Sequence, residues 1–151
     1  MVKILQKKNN YEAFLGSLIK KGNKVAAQRI LTTALLTLAK EKKVTPAVIF
    51  SQVFKKLESY VEIKKVSWGS GRKKRINLIP FPVNVKRQQF LKIKRIIDSA
   101  KEDTRKVPFS EKLYSELNNI LYNSKKSKAL LKQKEMHRLV LENKSNLHYR
   151  W

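Results

Sequence analysis

The sequence has 151 residues, of which 35 are lysine or arginine and 11 are aspartate or glutamate, so its formal charge is +24. This length suits one domain with an apolar core, and no apolar run approaches the 18 residues that a membrane span requires. The absence of cysteine excludes disulfides and thiolate metal sites. Because so high a charge opposes compaction, it predicts a polyanionic partner. Nucleic acid is the first candidate and an anionic membrane surface is the second.

The beginning of the chain is basic and carries no secretory signal pattern, and it is too short before the first predicted helix for a transit peptide. We therefore expect the protein to be made in the compartment where it works. Lysine outnumbers arginine 27 to 8, and there are ten asparagines. Both residues have A-rich codons, which favours an AT-rich genome, such as that of a mitochondrion, a plastid or some bacteria.

Three amphipathic helices are predicted in the first sixty residues, after a basic tail at residues 1–9. Apolar side chains recur at helical spacing over residues 10–21, and Gly22 stands where a helix C-cap belongs. A continuous apolar stripe predicts a second helix over residues 24–42. Thr45 and Pro46 are typical of the N-cap and first position of a third helix. We expect Ile30, Leu31, Leu35 and Leu38 of the second helix to pack against Phe50, Phe54 and Ile97.

Residues 61–83 differ from the helical segments on either side and predict a β-hairpin arm. Two extended runs flank Gly69, Ser70 and Gly71, which give a turn its conformational freedom. Pro80 and Pro82 cannot donate to a ladder, so the second strand must end there. No acidic residue occurs from 63 to 97, whereas eleven basic residues do. An isolated two-stranded hairpin is only marginally stable in water. The segment is therefore either an arm that a bound polyanion orders or a solvated loop.

Three further helices are predicted after the arm. The first spans residues 85–105, with Phe90, Ile93, Ile96, Ile97 and Ala100 facing inward, and Pro108 follows it. Residues 109–122 and 128–146 complete the set. The predicted fold is therefore mainly α, a single domain over residues 1–151 of about six helices, with one protruding two-stranded hairpin between helices three and four.

No catalytic constellation is present, so we do not expect an enzyme, a catalytic residue, a metal site or a cofactor. His137 and His148 lie eleven residues apart, and no glycine-rich loop precedes a Lys-Ser/Thr pair. Trp68, Tyr149 and Trp151 are candidates for stacking on unpaired bases, with protein packing as the alternative for each. The sequence also lacks the pattern of a helix-turn-helix or a basic zipper.

Several motifs resemble the bacterial and organellar family of small-subunit ribosomal protein seven over nearly the whole chain. They include the turn and helix at residues 19–35, the strand entry Val61-Glu62-Ile63-Lys64, and the exit Ile79-Pro80 followed by Arg87-Gln88. The most specific is the ending, with His137-Arg138, Glu142-Asn143-Lys144 and His148-Tyr149-Arg150-Trp151 at the family's histidine spacing. Two parts differ: the hairpin tip at residues 68–75 is longer, and the basic N-terminal arm is short.

The resemblance implies a protein that binds the head domain (the 3-prime major domain) of small-subunit ribosomal RNA early in assembly. It also implies a hairpin near the exit site for transfer RNA, with messenger RNA nearby and small-subunit proteins nine, eleven and thirteen as neighbours. The altered tip, short N-terminus and codon bias favour a mitochondrial ribosome over a plastid or bacterial one. The residues alone leave a basic helical DNA-binding or architectural module and a membrane-surface protein as alternatives.

The basic and aromatic residues together form the predicted RNA-binding set. Its members are Lys3, Lys7, Lys8, Asn23, Lys24, Lys64, Lys65, Arg72, Lys73, Lys74, Arg75, Lys86, Arg87, Lys94, Arg95, Arg138, Tyr149, Arg150 and Trp151.

Overall fold

The structure is a computed structural model that describes residues 2–69 and 75–150, with side chains from residue 10 onward apart from that of Trp68. Within these ranges the chain forms six α-helices and one antiparallel hairpin, which confirms the predicted mainly helical fold. The elements are α1 (Val2–Leu18), α2 (Lys24–Lys42), α3 (Pro46–Lys56), β1 (Val61–Trp68), β2 (Arg75–Pro82), α4 (Val85–Lys101), α5 (Phe109–Tyr122) and α6 (Lys128–Glu142), followed by a 3₁₀ segment (Lys144–Arg150).

Helix α1 is longer at its start than the sequence pattern predicts. It begins at Val2 rather than at residue 10, so the basic segment predicted as a tail is helical from Val2 onward. No proline or glycine interrupts residues 2–15, so nothing in this stretch breaks a helix. The helix is followed by Lys21 and Gly22, which both have positive φ angles of 50° and 76°. Gly22 adopts this left-handed conformation without a steric penalty and turns the chain into α2.

Two helices end earlier than predicted, and local side chains explain both ends. Helix α4 stops at Lys101 rather than at residue 105, because Asp103 accepts a 3.1 Å bond from the backbone N–H of Arg105 in a local turn. Helix α6 stops at Glu142 rather than at residue 146. There the amide of Asn143 donates to the carbonyl oxygen of Leu139 at 2.8 Å, and the chain continues as the 3₁₀ segment.

One apolar core joins all six helices. Phe14, Leu31 and Leu38 are fully buried, and the ring of Phe50 lies edge-on to that of Phe14, with 5.8 Å between centroids. The predicted packing of α2 against α3 and α4 is confirmed, since six of the seven residues named for it are buried in this cluster. Ile30 is only partly buried at its edge.

The hairpin pairs in a continuous register from Val61 opposite Pro82 to Trp68 opposite Arg75. Strand β2 ends at Pro82, as the prolines predict. Ile79 is fully buried and Ile76 is 62% exposed, so the base of the hairpin packs on the body while its outer part extends into solvent.

A buried carboxylate joins the last two helices. Glu116 of α5 accepts hydrogen bonds from the hydroxyl of Ser127 at 2.8 Å and from the backbone N–H of Ala129 at 2.9 Å. Ser127 in turn caps α6 by accepting from the N–H of Leu130. The negative charge therefore sits at the positive end of α6, which offsets the cost of burying it.

Candidate nucleic-acid interface

The base of the hairpin is fixed to α4 by a bidentate ion pair. Arg87 donates from Nε to Oε2 of Glu62 at 3.0 Å and from Nη2 to Oε1 at 2.8 Å. The hydrogen bonds from Arg87 lower the pKa of Glu62, with the neighbouring cations adding to the effect, so this carboxylate stays ionised. The positive charge of Arg87 compensates the negative charge of Glu62. The neighbouring cations of β1 therefore face no uncompensated carboxylate on their own strand.

Other predicted cations of the hairpin and of the start of α4 are exposed. Lys64 and Lys65 lie on β1 and Lys86 lies in the first turn of α4, whereas Arg75 opens β2 opposite Trp68, at the outer end of the ladder. The ammonium of Lys64 is 4.5 Å from the centroid of the Phe81 ring, which holds the side chain along the groove between β1 and the start of α4. Lys64 and Arg87 therefore line one groove beside Glu62, and Lys65 and Lys86 present further cations outside its lining.

Two neighbouring cations of α4 have different surroundings. Lys94 is exposed, whereas Arg95 is only 8% exposed, and burial lowers its pKa against the opposing effect of Glu62. Its Nη1 has no hydrogen-bond partner among the described residues. Lys92, one helical turn earlier, is also buried and pairs with Glu58 at 3.5 Å. Lys94 is therefore the better placed of the predicted pair to reach a phosphate.

The 3₁₀ segment brings the ending of the sequence onto β2. Arg150 donates to the carbonyl oxygen of Pro80 and Asn146 to that of Leu78, at 2.7 and 3.1 Å. Tyr149 is 40% exposed and its ring lies 3.9 Å from that of His148. Arg138 lies on α6, with its exposed side chain on Glu142 of the next turn. Arg150 thus has a structural role, which the sequence pattern did not predict.

Helices α1 and α4 run side by side in the same direction. One cavity is lined by Asn10 and Gln88, and another by Leu18, Asn23 and Lys101. Helix α4 is about 24 Å long. The start of α1 therefore points toward the hairpin end of α4, whereas Asn23 and the exposed Lys24 lie at the other end. Asn23 also caps α2 by accepting from the N–H of Ala26 at 3.0 Å.

Some of the predicted set lies outside the described residues. These are Arg72, Lys73 and Lys74 at the hairpin tip, the terminal Trp151, and the side chains of Lys3, Lys7 and Lys8.

The prediction that Phe90 faces the core is wrong. Its side chain is 45% exposed, because Phe90 lies at the edge of the face of α4 that residues 93, 96 and 97 bury. The exposed residues Arg87, Phe90, Lys94 and Lys101 follow one another at spacings of three, four and seven along α4, and we call them the α4 stripe. The apolar pattern assigned Phe90 to the core and so did not predict an exposed aromatic ring between two cations.

In the described ranges, no group of three or more His, Asp or Glu side chains is arranged to hold a metal ion. The helices described there also include none that is long and apolar enough to cross a bilayer. The groove at the hairpin base is lined by the cations Lys64 and Arg87, the Glu62 carboxylate, the Asn84 amide and the Phe81 ring.

Comparison with known proteins adds an independent line of evidence. The model of the family described as Ribosomal protein S7p/S5e matches residues 3–144. A "Small ribosomal subunit protein uS7m" from Reclinomonas americana is 29% identical over 138 residues, covering 91% of this chain and 82% of the relative. A "Small ribosomal subunit protein uS7" from Desulfotalea psychrophila is 32% identical over 139 residues, covering 91% and 84%. The chain therefore belongs to the Ribosomal protein S7p/S5e family, a family of structural small-subunit proteins rather than enzymes.

Proposed function

We propose that this chain is a structural constituent of the small ribosomal subunit that binds the head domain of its ribosomal RNA. The observation that carries the proposal is the group of exposed cations around the hairpin base, beside a glutamate already neutralised by Arg87. With a formal charge of +24, such a surface gains affinity for RNA by releasing the counterions of the phosphates it contacts.

The finer assignment extends to the hairpin and its neighbours. The arm projects from the body, so it can reach the exit site for transfer RNA and nearby messenger RNA while the body holds the RNA junction. Small-subunit proteins nine, eleven and thirteen are the proposed protein neighbours. The relatives include a mitochondrial and a bacterial protein, which supports an organellar or bacterial ribosome. The codon bias favours the mitochondrion.

The test is the salt dependence of binding to a transcript of the RNA head junction. If roughly 6–10 phosphates are neutralised, affinity should fall about 10³- to 10⁵-fold between 50 and 200 mM salt. The paired variant Lys64→Gln/Lys65→Gln should reduce the slope of log affinity against log salt by roughly one to two.

The matched control is Lys40→Gln/Lys42→Gln, two exposed lysines of α2. Both lysines lie in the last turn of α2, and neither lines the groove beside Glu62. The control should keep the wild-type slope. Equal effects of the two pairs would mean that charge alone, rather than this surface, drives binding.

A second experiment separates the arm from the body. Replacing residues 67–75 by a short Gly-Asn turn should leave helical content intact and weaken RNA binding, because Arg72 to Arg75 are removed. Unfolding of this variant would contradict the two-part arrangement. Co-sedimentation of the wild type with small subunits at moderate salt is the companion measurement, and preferential binding to DNA or liposomes would contradict the ribosomal assignment.

A further inference from the structure

The α4 stripe contains an exposed phenylalanine between two cations. Of the six phenylalanines in the chain, Phe14, Phe50 and Phe54 are buried, and Phe81 and Phe109 are partly buried. Phe90 is 45% exposed. It follows Arg87 by three residues and precedes Lys94 by four, so on a helix both cations are its immediate surface neighbours.

The cation beside the ring is held in place. The Cζ atom of Arg87 lies 5.1 Å from the centroid of Phe90, within the range of a cation–π contact. Both Nε and Nη2 of the same guanidinium are hydrogen-bonded to Glu62 on β1. The ring and the guanidinium are therefore pre-organised by the ion pair that joins the hairpin to α4, which lowers the entropy cost of binding a ligand there.

The chemistry of this pair narrows the class of ligand. A flat ring flanked by cations fits a planar, electron-rich group that also carries negative charge. An apolar protein surface would have to desolvate Lys94 without pairing it, which is costly. A nucleotide satisfies both requirements, because its base stacks on the ring and its phosphates meet the cations. Bases in a duplex have their faces covered, so an unpaired one is required.

We propose that Phe90 is a stacking platform for an unpaired base of the bound RNA, with Arg87 and Lys94 contacting the adjoining phosphates. The inference rests on the proposed RNA-binding function and adds to it one specific, uncharged contact. Stacking on a ring is tolerant of base identity. Phe90 therefore contributes affinity and register rather than sequence recognition.

The test uses the full-length protein and a head-junction transcript with 2-aminopurine at its unpaired positions. Phe90→Leu keeps the apolar volume but removes the aromatic face. It should weaken binding roughly 5- to 150-fold at every salt concentration and leave the salt slope unchanged, because no phosphate contact is lost. Phe90→Trp should restore affinity. Wild type should quench the 2-aminopurine at one position, and Phe90→Leu should not.

Tyr122→Leu is the matched control. Tyr122 is 52% exposed and the Lys42 ammonium lies 4.8 Å from its ring centroid, so it offers the same kind of pair at the end of α5, outside the α4 stripe. This variant should bind like wild type.

Two outcomes would overturn the inference. The first is wild-type RNA affinity for Phe90→Leu, and weaker incorporation of that variant into subunits would then assign Phe90 to a protein contact. The second is a loss of affinity that Phe90→Trp does not rescue, which would indicate a packing role. A wild type that bound the transcript with no salt dependence would instead remove the proposed function, and the stacking platform with it.

Discussion

The Nε of Arg150 donates a 2.7 Å hydrogen bond to the carbonyl oxygen of Pro80, a residue 70 positions earlier in the chain. Pro80 is paired with Ile63 in the hairpin ladder, so this bond ties the 3₁₀ segment to the strand that carries the arm. Asn146 makes a parallel bond to Leu78 at 3.1 Å. The ending of the sequence thus fastens the hairpin to the body.

We expect Arg150→Ala to loosen the base of the hairpin. The variant loses a charge-assisted hydrogen bond, which predicts a decrease in the free energy of unfolding of about 1–3 kcal/mol at most and faster amide exchange in β2. Arg138→Ala is the control, because the Arg138 side chain is 79% exposed and contacts Glu142 on its own helix. Equal exchange rates in β2 for both variants and wild type would contradict this role.

The core prediction concerns Leu35, which is 5% exposed. Leu35→Ala removes buried methyl groups and leaves a cavity, so the free energy of unfolding should fall by about 2–5 kcal/mol. Its neighbour Leu36 is 51% exposed, and Leu36→Ala should change stability by less than about 0.5 kcal/mol. Urea denaturation of the two variants, read by circular dichroism, makes the comparison. Similar losses would mean that α2 is rotated about its axis from the orientation described above.

Glu116 provides a test of the link between α5 and α6. In Glu116→Ala, the hydroxyl of Ser127 and the N–H of Ala129 lose a buried acceptor, and we expect a cost of about 1–3 kcal/mol. Glu135→Ala on the exposed face of α6 serves as the control and should be nearly neutral. Thermal melts of both variants suffice, and a neutral Glu116→Ala would show that water replaces the carboxylate.

Arg95 is expected to lower stability in the isolated protein. Burial of its guanidinium lowers its pKa, and Nη1 lacks a partner among the described side chains and backbone. Arg95→Met keeps the length of the side chain without the charge. It should raise the free energy of unfolding by on the order of 1 kcal/mol. Lys94→Met, one position away and exposed, should leave stability nearly unchanged. A destabilised Arg95→Met would indicate that attraction to Glu62 outweighs the desolvation.

Asp103 has a pH response that can be measured directly. Hydrogen bonds from the side chain and backbone N–H of Arg105 lower the pKa of Asp103 from 3.8 to about 2. A lowered folded-state pKa means that the contribution to stability is fully present above pH 4 and is lost as the pH falls through about 2. Carboxyl NMR titration should show this midpoint. Arg105→Gln should move it back toward 3.8, and an unchanged midpoint would refute the assigned cause.

Much of the fold follows from local pattern. The bounds of α2 and α5 agree with the apolar periodicity, because tertiary contacts there lie on one continuous stripe. The error at Phe90 has a physical reason: Phe90 stands at the edge of the apolar face of α4, and periodicity cannot distinguish a ring at the edge of that face from one inside it. The burial of Arg95 and the acceptor role of Pro80 were not predictable, since both depend on residues distant in sequence. The cations around the hairpin base were predictable as a set, because charge is visible in sequence and its spatial grouping follows from the hairpin.

The long sequence separation between β2 and the 3₁₀ segment has a consequence for biosynthesis. The contacts that fasten the hairpin span 68 and 70 residues. At a synthesis rate of about 5–20 residues per second, those partners are made roughly 4–14 seconds after the strand. A hairpin forms within about 1–10 microseconds, so β1 and β2 can pair long before Arg150 exists. During this interval the charged side chains of the arm must keep it soluble without those contacts. The hydrogen bonds from Asn146 and Arg150 that anchor the arm form only in a late docking step.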